Sequence, residues 1–275
     1  MTDPHPIGVF DSGVGGLSVW REIVRQLPHE DTIYFADQAH IPYGPRPLER
    51  IRQFAEATTR FLLERGCKAI VVACNTASAA ALKHLRETFP HVPFVGMEPA
   101  VKPAAQSTQT GIVGVLATPA TFQGALFASV VERFANGVQL INQVCPGLVE
   151  QIEAGHLDTP DTEAMLHGFL RPILTARADT VVLACTHYPF VIDVIRRIVG
   201  SGVKVIDPAP AIARQTGRVL ADRGLSTPES HRGEHVFITS GDRAAFERIV
   251  GQLVKAEGQI ERAEWHEDRV RIAST

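Results

Sequence analysis

No apolar run in the 275 residues approaches the ~20 that a membrane-spanning helix requires. Met1 to Pro6 carries neither the basic flank nor the apolar stretch of a secretion signal, so a cytoplasmic protein with no membrane partner is expected. An excess of one charge is also lacking: 27 Lys and Arg stand against 30 Asp and Glu, and the basic residues are scattered rather than gathered into a stripe. That distribution leaves no electrostatic footprint for nucleic acid. Cysteine is scarce. The four, at 67, 74, 145 and 185, are too few for a disulfide scaffold and show no C-x-x-C spacing, so they are expected to be free thiols, each needing its own reason. The 11 histidines are dispersed and no carboxylate cluster accompanies them, so no metal is expected.

What is present is an alternation. Ile7 to Phe10 reads as a buried strand, and Leu17, Trp20, Ile23, Val24 and Leu27 follow at helical spacing. Thr32 to Ala36 reads as a strand, Asp37 to Pro47 as a proline-punctuated loop, and Leu48 to Leu62 as a helix that Gly66 can end. Ala69 to Ala73, Ser78 to Phe89 and Pro93 to Met97 continue as strand, helix and strand. A mostly parallel sheet with helices on both faces is the natural solution for such a βαβαβαβ order.

The pattern then repeats loosely. Val71-Val-Ala-Cys-Asn-Thr76 has a counterpart in Val182-Leu-Ala-Cys-Thr-His187, Ile7-Gly-Val-Phe-Asp-Ser12 in Val113-Gly-Val-Leu-Ala-Thr118, and Met97-Glu-Pro-Ala100 in Ile206-Asp-Pro-Ala209. Three echoes in one order predict two related α/β halves. Later elements, a helix after Pro208, a strand at His235 to Thr239 and a helix from Arg243 to Val254, belong to neither echo and are expected to return to the first half. The expected domains are therefore 1–98 with 209–275, and 99–208, with a cleft between them. The polar end from Gly258 to Thr275 is expected to fray.

Ligands of open parallel sheets bind beyond the carboxyl ends of the strands, where helix N-termini point free N–H groups outward. Cys74 and Cys185 both fall there, as do Asp11 and Ser12. A lone cysteine ending an apolar strand is ordinarily packing, but duplication of the whole context argues for a pair. Two thiols facing each other across a cleft suit one chemistry well. Inverting an amino acid's α-carbon needs one group to take a proton from one face and another of similar acidity to return one to the other. Cys67 and Cys145 lack such a context and read as structural.

Asp11-Ser-Gly-Val-Gly-Gly16 lies between strand and helix, where glycine lets N–H groups approach an anion or simply makes a tight turn. It is neither a P-loop nor a dinucleotide fingerprint, since no Gly-Lys-Ser/Thr follows and Ser18 stands where a third glycine would. Asn75-Thr76 and Thr186-His187 follow the thiols at expected helix starts, where capping and ligand binding can coexist. Tyr43 and Gly44 sit in a loop stiffened by Pro42 and Pro45, and Glu150 opens an expected helix.

Phe10-Asp-Ser-Gly-Val-Gly-Gly-Leu17, Pro42-Tyr-Gly44, Ala73-Cys-Asn-Thr76 and Ala184-Cys-Thr-His187 together resemble the signature segments of the glutamate racemase family, in its order and over most of the chain. The resemblance implies two α/β domains around one active site, no cofactor, and interconversion of L- and D-glutamate for peptidoglycan. It implies that Cys74 is the base toward the D-enantiomer and Cys185 the base toward the L-enantiomer. Asp11, Glu150 and His187 would assist the thiols, and Asp11, Ser12, Tyr43, Gly44, Asn75, Thr76, Thr186 and His187 would surround the substrate. A homodimer is also implied. Six residues precede the first strand, so activation by a cell-wall precursor, which in some members accompanies an N-terminal extension, is not expected. Aspartate or hydantoin racemases of the same fold would also use two cysteines. A nucleotide-binding α/β protein that keeps its cysteines as packing is the reading from a different class.

Overall fold

The computed structural model describes residues 3–98, 100–135, 137–256 and 258–273. The first stretch alternates as expected: β1 (Ile7–Asp11), α1 (Leu17–Gln26), β2 (Thr32–Ala36), α2 (Leu48–Glu64), β3 (Ala69–Val72), α3 (Asn75–Thr88) and β4 (Phe94–Gly96). After α4 (Val101–Ser107) come β5 (Ile112–Ala117), α5 (Pro119–Gln123), α6 (Ala125–Phe134), β6 (Gln139–Val144), α7 (Leu148–Glu153), α8 (Pro160–Thr175), β7 (Thr180–Ala184), α9 (Ile192–Val199) and β8 (Lys204–Ile206). The last elements are α10 (Ala209–Asp222), β9 (His235–Thr239), α11 (Arg243–Val254), β10 (Gln259–His266) and β11 (Arg269–Ile272). No helix among the described residues is long and apolar enough to cross a membrane.

The strands form a seven-stranded sheet, ordered β11-β10-β9-β2-β1-β3-β4, and a four-stranded sheet, ordered β6-β5-β7-β8. Within them, β2-β1-β3-β4 and β6-β5-β7-β8 are the same permutation, parallel at every pairing. The sequence echoes thus fall on topologically equivalent strands: β1 matches β5 and β3 matches β7. Cys74 and Cys185 follow β3 and β7, so each thiol leaves the carboxyl end of the same strand in its own sheet.

Parallel strands covered on both faces must be apolar on both. Val9, Tyr34 and Val71 pack on one side of the larger sheet with Trp20 and Ile23 of α1, Leu220 of α10 and Phe246 of α11. Phe10, Phe35, Ile70 and Val72 pack on the other with Phe54 and Leu62 of α2 and Leu85 of α3. The smaller sheet is built likewise, Leu183 facing Leu170 and Ile195, and Val182 facing Val101 and Val130.

The expected fraying of the C-terminal segment is overturned up to residue 273. β10 pairs in parallel with β9, and β11 returns antiparallel along β10. Few apolar residues there are enough because they alternate: Ala263 and Val270 are buried against the Phe54 side of the sheet, with Trp265 beside them. The charges that made the segment read as solvent-exposed pair at the sheet edge, Glu261 with Arg65 at 3.0 Å and Arg262 with Glu264 at 3.2 Å. Residues 274 and 275 of that segment lie outside the described residues.

At the opposite end of the sheet from the thiols, the Lys68 and Glu30 side chains meet at 2.6 Å while only 2% and 6% exposed. Thr227 completes the site, donating to Glu30 through its backbone N–H and its hydroxyl. Removing one member of such a pair strands the other charge in a desolvated site. Lys68→Met is therefore expected to destabilise the fold by roughly 3–5 kcal/mol in urea titration, and adding Glu30→Leu should recover much of that loss.

Candidate active site

The geometry begins with where α3 starts. Sequence spacing puts its start near Ser78, but it begins at Asn75, directly after Cys74, because the Cys74 sulfur accepts the Ala77 N–H at 3.4 Å and caps the helix. Cys74 therefore sits at a helix N-terminus, a setting that favours a thiolate. Burial opposes it, and the neighbouring Asp11 charge opposes it further, so the thiol's pKa stands well above its ordinary range. Ser12 Oγ lies 3.9 Å from the same sulfur.

The second thiol is arranged differently. No α-helix starts after Cys185; Thr186 and His187 lead into a 3-10 turn, Tyr188–Val191, containing Pro189, and α9 begins only at Ile192. The expectation of a helix start at Thr186-His187 is corrected accordingly. Instead, His187 Nδ1 lies 3.8 Å from the Cys185 sulfur, and its Nε2 lies 2.7 Å from Glu153 Oε1. Burial works against a charged imidazole, but the hydrogen bonds and charges of Cys185 and Glu153 outweigh it and hold the His187 pKa well above the usual value. An imidazolium with one N–H on a carboxylate and the other toward sulfur is a built partner for a thiolate.

The glycine loop proves to bind anions, but they are the chain's own carboxylates. Gly16 N–H donates to Asp11 Oδ2 at 2.7 Å, and Val14 N–H donates to Glu153 Oε1 at 2.7 Å. Two of its glycines are required by close approach: a Cβ on Gly13 would collide with the Glu153 carboxylate, and one on Gly15 with the His187 ring. Asp11 itself is fully buried and does not line the cavity, and burial raises its pKa.

Cys74 and Cys185 open on one cavity of about 180 Å³, walled also by Ser12, Tyr43, Gly44, Asn75, Thr76, Glu150, Thr186 and His187. That is smaller than the ~300–1,000 Å³ of sites for drug-sized ligands and suits a molecule of a few heavy atoms. Both polar atoms of the Asn75 amide are buried and unpartnered within the described chain, which marks them for a ligand. Thr76 Oγ1 meets Thr118 Oγ1 at 2.8 Å, joining the rim of the first half to that of the second. Tyr43 lines the cavity, but its hydroxyl is committed to Asp37 Oδ2 at 2.7 Å. Among the described residues, no group of three or more His, Cys, Asp or Glu could hold a metal ion.

Sequence reasoning missed three contributors. Glu150 lines the cavity, yet the carboxylate on His187 is Glu153, about one turn further along α7. Asp37, at the end of β2, receives Tyr43, Ser240 and the Trp265 indole N–H, the last at 2.7 Å. Its place at a strand's carboxyl end was the available signal. Cys145, read as structural, stands in the cavity wall beside Tyr188, and burial pushes its thiol up to about 12, so it remains neutral at ordinary pH. Cys67 is held in the same protonated state, also at about 12, inside the core away from the cleft.

A family model for Asp/Glu/Hydantoin racemases matches residues 7–216. The glutamate racemase of Roseiflexus sp. (strain RS-1) is 49% identical over 260 residues, 94% of this chain and 96% of that protein. That of Pseudomonas paraeruginosa is 56% identical over 220 residues, 80% of this chain and 83% of its own. Among solved structures, a Bacillus anthracis glutamate racemase superposes with a TM-score of 0.87 at 32% identity, covering 96% of this chain and 98% of that one. The Francisella tularensis enzyme, solved in complex with D-glutamate, does so with a TM-score of 0.83 at 30% identity, with the same coverage. With the matched segment holding β1 to β8 and both thiols, this chain belongs to the Asp/Glu/Hydantoin racemase family.

Proposed function

We propose that this chain racemises glutamate by a two-thiol mechanism, Cys74 and Cys185 exchanging the roles of base and acid on opposite faces of the α-carbon. The observation that carries the reading is the pair of sulfurs at the carboxyl ends of equivalent strands, β3 and β7, opening on one small cavity. That glutamate is the substrate rests on the curated relatives, glutamate racemases about half identical over nearly the whole chain.

In the L-to-D direction the Cys185 thiolate, paired with the His187 imidazolium, takes the α-proton. The bonding electrons stay on the α-carbon, spread toward its carboxylate, and the Cys74 thiol delivers a proton to the opposite face. In the reverse direction the roles exchange, with Asp11 and Ser12 beside Cys74 receiving and orienting the proton on that side. No electron leaves the substrate, so the step balances without an oxidant or cofactor. Asn75, Thr76, Thr186, Ser12 and the Tyr43-Gly44 backbone are the groups assigned to the substrate's carboxylates and ammonium. Glu153, rather than Glu150, is the carboxylate assigned to assist His187, leaving Glu150 as a wall residue. The reading includes a discontinuous first domain, 1–98 with 209–275, closing on a second, 99–208. It also includes a cytoplasmic homodimer that supplies D-glutamate for peptidoglycan.

Three outcomes test it. In deuterated water, either enantiomer of glutamate should acquire deuterium at the α-carbon, read by proton NMR, while aspartate should acquire little; faster exchange into aspartate would reverse the substrate assignment. Cys74→Ser and Cys185→Ser should each lower kcat by roughly 10²–10⁴-fold in a polarimetric assay, and near-normal turnover in either would refute the paired thiols. His187 should remain protonated at pH values where exposed imidazoles, near ~6.5, are neutral. A group raised on folding adds stability below its unfolded pKa and loses it as pH rises through the folded one. Glu153→Gln removes a charge that favours the imidazolium, so the His187 titration followed by NMR should move to lower pH.

A further inference from the structure

We propose that Gln38 is a positioning residue for the Cys185 half of the reaction, holding the Glu153 carboxylate so that His187 stays against the thiol. The proposal rests on the two-thiol reading above.

Gln38 is the second residue past the end of β2, in the short turn Gln38–His40, and reaches across to the other half of the molecule. Its Nε2 donates to Glu153 Oε2 at 2.9 Å. Which end of the amide faces Glu153 is fixed by the carboxylate, whose oxygens only accept, so the NH2 end must meet it. The other end, Gln38 Oε1, accepts the Thr239 hydroxyl at 2.7 Å, and that hydroxyl oxygen in turn accepts Gly241 N–H at 2.9 Å. One directed chain therefore runs from the end of β9 through Gln38 and Glu153 to His187, and ends 3.8 Å from the Cys185 sulfur.

The two oxygens of Glu153 divide their work. Oε1 takes both Val14 N–H and His187 Nε2, each at 2.7 Å, while Oε2 takes Gln38. A carboxylate held by only one oxygen can rotate about its last bond. Held by both, it presents a fixed lone pair to the imidazole. The Cys74 side has its own fixed carboxylate, Asp11, held by Gly16 within the same strand-loop-helix unit. Gln38 therefore touches one half-reaction and not the other, and that asymmetry makes its role measurable.

The test uses the full-length protein with Gln38→Met, which keeps length and removes both hydrogen bonds. Since the two enantiomers are equal in free energy, kcat/KM must fall equally in both directions, by roughly ten-fold for the loss of a hydrogen bond to a charged group. Primary deuterium isotope effects separate the two sides. With α-deuterated L-glutamate, whose proton Cys185 removes, the effect on kcat/KM should rise. With α-deuterated D-glutamate it should fall toward one. General loosening of the fold would leave the ratio of the two effects as in the unaltered protein, and that result overturns the proposal.

Gln38→Glu gives a second reading within one protein. As a neutral acid it can still donate to Glu153, and once ionised it places two carboxylates together. The titratable groups facing this position are His187 and Tyr34 around Glu153, and Asp37 with its partner His40 beside Gln38. The variant should match the unaltered rate at acid pH and fall below it as pH rises. A profile parallel to that of the unaltered protein at every pH overturns the proposal even if Gln38→Met does not fold. If the unaltered protein itself places no solvent deuterium in glutamate, the two-thiol reading fails instead, and the two failures are distinct.

Discussion

The cleft that holds both thiols depends on how closely one backbone loop can be approached from the other half of the molecule. The turn after β1 has no side chain at Gly13 or Gly15, and into that space come the carboxylate of Glu153 and the ring of His187. Val14 N–H then binds the carboxylate, and Ser18 Oγ donates to Thr186 O at 2.9 Å. The glycine loop is thus a docking seat for Glu153 and for the loop after β7 in the other sheet. Because hydrogen bonds to a charge are stronger than neutral ones and are better made away from water, the same contact holds the halves together and fixes the imidazole.

The molecule is symmetric in topology and asymmetric in chemistry. Both thiols leave the carboxyl end of the third strand in a 2-1-3-4 permutation. Beyond that point the chain diverges, since Asn75 continues straight into a helix whereas Pro189 follows Tyr188 in a 3-10 turn. One sulfur therefore caps a helix beside a buried aspartic side chain, and the other faces an imidazole backed by a glutamate. A reaction that presents the same carbon from opposite faces needs two sites of matched acidity, and different surroundings can reach that match.

Much of this was legible in sequence for a definite reason. Strands covered on both faces, such as Ala69–Val72 and Thr180–Ala184, read as unbroken apolar runs, and a polar cluster after such a run marks the carboxyl edge of the sheet. Cys74, Asn75, Thr76, Cys185, Thr186 and His187 all carried that signal. Glu153 did not, because it sits three residues past Glu150 on α7, roughly 60° around the same helix. Choosing between them needs the docked position of the helix, which is a tertiary fact. Gln38 and Asp37 make their decisive contacts with Glu153, Ser240 and Trp265, more than a hundred positions away. The C-terminal hairpin was obscured for a related reason: its charges find partners just past α2 and along its own strand, so their number marked a solvated sheet edge rather than a frayed chain.

That hairpin has a consequence for the order in which the protein can be made. Trp265 donates to Asp37 and packs against His40 and Phe54, and Asp37 in turn holds the Tyr43 hydroxyl at the cleft wall. The larger sheet starts at Ile7, yet its edge is supplied by strands at 259–266 and 269–272. On the ribosome, the four-stranded sheet has all its strands long before the seven-stranded one does. The smaller half can close first as a unit, while the nascent first half waits with an open edge at β2 until β9 emerges, and then at β9 until β10 does. The wall of its cleft at Asp37 and Tyr43 is thus completed by a residue translated 228 positions after Asp37.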